Sequence, residues 1–206
     1  LLFLAIDSIE ESVEVSNENL ANSFNGTLLV ATVVVLSFLT LYYLGNKIVA
    51  KADSLNFSKP VAIGLMISIG IGLHNFGEGL AIGAAVGIGS IAFSTFLIVG
   101  FALHNTTEGI AIAAPMSRGK LMLGKLAIMG MIAGTPAIFG AWIGGFAYSP
   151  FTSVIFLAIG AGAIFQVILV LMKWIQKEND GNLSTLSIVS GFAIGMLVMY
   201  LTSILV

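Results

Sequence analysis

Six stretches of this 206-residue chain, 27–48, 61–88, 91–115, 121–146, 151–174 and 183–206, are apolar over the thickness of a lipid bilayer. A spanning helix needs roughly 20 mainly apolar residues, because the hydrocarbon interior is about 30 Å thick and a helix rises about 1.5 Å per residue. No water is present there to satisfy backbone N–H and C=O groups, so each stretch must satisfy its own as a helix. The expected fold is therefore an all-α, polytopic transmembrane bundle in one domain, 1–206, with six complete spans. Composition excludes the soluble alternative. Only 9% of the residues are charged, where soluble domains carry roughly a quarter, and the mean hydropathy is +1.06.

The leading apolar run 1–6 reads as the tail of one further spanning helix whose beginning precedes Leu1. An acidic external segment follows, reaching residue 18 with Asp7, Glu10, Glu11, Glu14 and Glu18. Such a run is first of all a solvated face, although its glutamates partly share a helical side and would concentrate cations there. The eight cationic side chains sort themselves by connection. Lys47, Lys51 and Lys59 flank the first full loop, Arg118, Lys120 and Lys125 the third, and Lys173 and Lys177 the fifth, whereas 87–90 and 147–150 carry none. By the positive-inside rule the basic loops are cytoplasmic and the C-terminus is outside, as expected of a multi-pass protein of the cell membrane. Gly79, Gly83 and Gly87 recur at every fourth position, a small-residue face that lets transmembrane backbones approach.

Against this apolar background one phrase occurs twice: His74-Asn75-Phe76-Gly77-Glu78-Gly79 and His104-Asn105-Thr106-Thr107-Glu108-Gly109. These copies hold both histidines of the chain, each four residues before a glutamate. Ionisable groups at membrane depth cost a few kcal/mol or more, and they persist where they pair, bind an ion or line a water-filled path. Residues four apart share a helix face, so each copy presents a His/Glu edge. The very short connection between the copies makes their helices antiparallel neighbours with the edges facing near mid-depth. Two imidazoles and two carboxylates suit Zn²⁺, and also Fe²⁺, Mn²⁺ or Co²⁺, and two ionised glutamates neutralise a divalent cation. Cysteine is absent, so any metal must be held by nitrogen and oxygen. Asn75 and Asn105, one residue round each helix, add carbonyl oxygens. The plain alternative is interhelical hydrogen bonding without metal. Such bonds yield only about 0.6 kcal/mol on average, a small return for two carboxylates at depth.

The paired HNxxEG phrases on adjacent helices resemble the ZIP (Zrt- and Irt-like protein) family of divalent metal transporters, in which HNxPEG-type motifs on the fourth and fifth of eight helices form a metal centre. The resemblance implies that the leading partial helix is the second and the six full spans the third to eighth. It implies metal ligation by His74, Asn75, Glu78, His104, Asn105 and Glu108, and it makes Asp7 similar to the family's acidic entrance residue. Three departures stand out. Gly77 and Thr107 replace the proline before each motif glutamate, so a local helix break must come from glycine or not occur. Gly134-Thr135-Pro136 stands where many members carry a glutamate-proline pair. Near the expected cytoplasmic exit Gln166 is the lone polar residue, and the long cytoplasmic loop shrinks to 51–59.

The expected function is transport of Zn²⁺, or of Fe²⁺, Mn²⁺, Co²⁺ or Cd²⁺, into the cytoplasm. The metal is cargo, and no catalytic cofactor or enzymatic activity is expected. A non-conducting metal sensor or scaffold is the alternative. An intramembrane metallo-hydrolase is further off, because there is no HExxH signature and no third histidine. Expected partners are the metal ion and the bilayer. A homodimer is compatible with this reading, and no nucleic acid is expected.

Overall fold

The computed structural model describes residues 1–20, 25–52, 54, 57–117 and 123–203. They form seven helices: α1 (Leu2–Leu20), α2 (Gly26–Ala50), α3 (Lys59–Gly87), α4 (Ile91–Ala113), α5 (Leu123–Ala147), α6 (Pro150–Glu178) and α7 (Leu186–Ser203), with a short 3-10 turn, Ala114–Met116, after α4. No strand occurs among the described residues. Helices α2 to α7 are long and apolar enough to cross a membrane, and the protein is a multi-pass membrane bundle. A described helix lies over each of the six apolar stretches, its ends within a few residues of theirs. Arg118, Lys120, the first residues of the span 121–146 and the last of 183–206 lie outside the described residues.

The leading segment is one helix, α1, which runs unbroken from the apolar run through the acidic stretch. Two stripes of the same period explain this. Ser8, Ser12 and Ser16 are buried, while Glu10, Glu14 and Glu18 face outward. The small hydroxyls let α1 lie close on α6, where the Ser12 hydroxyl donates to the Val154 carbonyl at 2.9 Å.

Helices α3 and α6 form the centre, with α7 at the periphery. Ile67 and Ile71 of α3 and Ile164 and Val167 of α6 are sealed from solvent in the main apolar cluster. The tightest seam joins α3 to α5. A Cβ on Gly83 would lie 2.1 Å from the Ala141 carbonyl oxygen, and one on Gly144 would lie 2.2 Å from that of Leu80. The two backbones therefore touch where side chains would otherwise stand, as small-residue faces permit in membranes. Although α3 and α4 are sequence neighbours joined through Gly89 at φ +76°, the glycine face of α3 is turned to α5. Neither α3 nor α4 breaks at Gly77 or Thr107, and both motif copies sit on continuous helix.

Candidate metal centre

His74 and Glu78 are one turn apart on α3, and their Nε2 and Oε1 atoms lie 3.2 Å apart. From α4, His104 brings its Nε2 to 2.6 Å from the same Oε1. The two imidazole centroids are 6.5 Å apart. One ligand atom from each of His74, Glu78 and His104 lies within 4.8 Å of the others, and all three residues are buried. The bundle thus contains a buried His/Glu cluster able to bind a metal ion. Three nitrogen and oxygen donors at this spacing suit a borderline cation such as Zn²⁺.

Neighbouring helices hold these side chains. Ser8 Oγ of α1 is 3.3 Å from His74 Nδ1, leaving Nε2 directed at the carboxylate. Gly160 of α6 opens the space for the His74 backbone, because a Cβ there would be 3.0 Å from the His74 Cα. The ring of Phe101, one turn before His104, lies 5.4 Å from that imidazole, centroid to centroid. Asn75 donates from Nδ2 to the Ala133 carbonyl at 3.1 Å. That carbonyl belongs to the turn of α5 preceding Pro136, where the missing proline N–H and the ring disturb the helical bonding of the carbonyls.

The six ligands implied by the resemblance do not all converge. Glu108 stands outside the three-residue group. It is 1% exposed, and neither carboxylate oxygen has a hydrogen-bond partner. Its own-helix partner by spacing, His104, is turned to Glu78 across the interhelical gap instead. Asn75 and Asn105 each keep an unpartnered Oδ1. Unsatisfied buried acceptors cost free energy that a cation would recover, and here four such atoms sit on the two motif copies beside the cluster. Thr135 is exposed and lines a shallow dent with Phe76, Pro136 and Phe139, so its side chain is on the outer face and not among the ligand group.

Asp7 lines a cavity of about 190 Å³ together with His104, Phe101 and Thr202, between α1, α4 and α7. One turn further along α1, outside the six spans, Glu11 is half-buried. Burial first, then the negative charges of Asp7 and Glu78, push its carboxyl up to about 7. Sequence reasoning missed Ser8 and the Ala133 carbonyl. The serine period of four on α1 signals a buried face but does not reveal that His74 is opposite. No protein-family model, curated protein or solved structure matches the chain.

Proposed function

We propose that this protein carries a divalent transition-metal ion, Zn²⁺ foremost, across the membrane in the manner that its resemblance to the ZIP family implies. The observation supporting this is the placement of His74, Glu78 and His104 ligand atoms within 4.8 Å of one another inside a bundle of spanning helices. The buried Glu108 carboxylate beside them supplies the second negative charge that a divalent ion needs in a low-dielectric interior. The cavity shared by Asp7 and His104 is the approach from one side. Toward the other side Ile67, Ile71, Ile164 and Val167 are buried together in the main apolar cluster. A carrier that opens alternately to each side has one side closed in any one state.

The same apolar cluster favours a second reading, a metal sensor that binds without conducting. Uptake of ⁶⁵Zn by sealed liposomes containing the purified protein separates the two. Accumulation that exceeds binding stoichiometry and is lost in Glu78→Ala supports the carrier. Saturable binding without accumulation supports the sensor.

A further inference from the structure

Away from the metal centre, a cavity of about 550 Å³ opens at the end of the bundle where α2 and α6 finish and α3 begins. This volume is in the roughly 300–1,000 Å³ range of cavities that enclose small ligands. Its mouth carries Lys59, Lys173 and Lys177 against one acid, Glu178. Its floor is apolar, with Ile63, Met66 and Val170. A cation bound at the metal centre would gain nothing from three lysines, so the chemistry of the mouth is that of an anion site.

Two further features point the same way. Residues Ser58, Lys59, Pro60 and Val61 line the mouth and form the start of α3. Its N-cap, Ser58, makes no side-chain capping hydrogen bond and Pro60 in the first turn has no N–H, so the backbone N–H groups of Lys59 and Val61, at the positive dipole end of a 29-residue helix, are left uncapped among the lining residues. Deeper in, Gln166 is 1% exposed and lines the floor, with its Nε2 turned to the cavity-lining Gly45 of α2. Its amide N–H groups can donate to a carbonyl oxygen reaching past the apolar walls. Lys173 is held in place at the mouth, its Nζ 3.3 Å from the Tyr42 hydroxyl and 4.7 Å from the centre of that ring.

We propose that this cavity binds an anionic glycerophospholipid, its phosphate at the lysine mouth and the α3 N-terminus, an ester carbonyl accepting from the Gln166 amide N–H and the start of an acyl chain on the apolar floor. Basic cavities between spanning helices take anionic lipid head groups in this way. A free phosphate would use the mouth alone and leave the floor and Gln166 without function.

Native mass spectrometry of the full chain released from detergent tests this with phosphatidylglycerol, phosphatidylcholine and inorganic phosphate as probes. The expected result is one retained phosphatidylglycerol per chain, preferred at least tenfold over phosphatidylcholine and not displaced by inorganic phosphate. At about fivefold per lysine, Lys59→Gln with Lys177→Gln lowers retention about 25-fold. Val170→Trp, which fills the floor without changing charge, also lowers it. Lys47→Gln, which removes a charge outside the cavity, leaves it unchanged. Equal retention of the two lipids by the unmodified chain overturns the proposal whatever the variants do. So does an equal loss in Lys47→Gln, or displacement by inorganic phosphate alone.

Discussion

His104 Nε2 of α4 lies 2.6 Å from Glu78 Oε1 of α3, closer than the 3.2 Å that separates this oxygen from His74 on its own helix. One carboxylate oxygen therefore bonds the His104 imidazole and lies beside the unpartnered Nε2 of His74, and Glu78 is the hinge of the centre. Removing it takes away the carboxylate that both histidines face. Glu78→Ala is expected to weaken Zn²⁺ binding by more than about 100-fold, beyond the 10–100-fold typical for losing a residue that merely supports a ligand. Glu108→Ala is expected to weaken it less, because Glu108 contributes charge from outside the three-residue group. Competition with a chelator in detergent measures both, and equal losses would place Glu108 in direct contact with the ion.

Ser8 acts through His74. Its hydroxyl is the polar contact of His74 Nδ1 from α1, and such contacts fix the tautomer and ring orientation of a ligating imidazole. Ser8→Ala is expected to cost about tenfold in metal affinity while changing stability by only about 1 kcal/mol. Affinity and thermal unfolding measured on the same sample distinguish this from general loosening, which would move both together.

The α3–α5 seam predicts an asymmetry between glycines. Gly83→Ala places a methyl 2.1 Å from the Ala141 carbonyl oxygen, where backbone must shift, and overpacking of this kind costs about 1–3 kcal/mol or more. Gly109→Ala meets nothing within 4 Å and should gain up to about 1 kcal/mol from helix propensity. Thermal unfolding in detergent should fall for the first variant and hold or rise for the second.

The spans and the two motif copies were legible in the sequence because both follow from local chemistry. Transfer free energy identifies a segment that must be a membrane helix, and a period of four places His74 above Glu78. Which helix lies beside which is a matter of shape. Gly79, Gly83 and Gly87 announce a close seam but do not name α5 as its other side. The turning of His104 away from Glu108 is likewise a tertiary choice of side-chain direction, made by the position of Glu78 across the gap. Thr135 was read by its place in a motif, yet the face it occupies on α5 is decided by Gly140 and Gly144 meeting α3. The continuation of α1 through its acidic stretch followed from the serine stripe, which gains its meaning only once α6 covers it.

Glu11 predicts a pH effect with a definite sign. Its carboxyl is pushed up to about 7 in the fold from an ordinary value of 4.5, so the folded protein holds this proton more tightly than the unfolded chain does. Stability from this group is therefore greatest at acid pH and declines as pH rises from about 4.5 to about 7. Glu11→Gln, a neutral side chain of the same shape, should raise the unfolding temperature at pH 8 and leave it nearly unchanged at pH 5. An equal rise at both values would mean that the gain is not electrostatic.

Anomalous diffraction above and below the zinc absorption edge, from crystals of the protein soaked in Zn²⁺, tests the metal centre most directly. One strong peak is predicted per chain, about 2.0–2.2 Å from His74 Nε2, His104 Nε2 and a Glu78 oxygen. A peak elsewhere, or none between α3 and α4 at saturating Zn²⁺, would contradict the account.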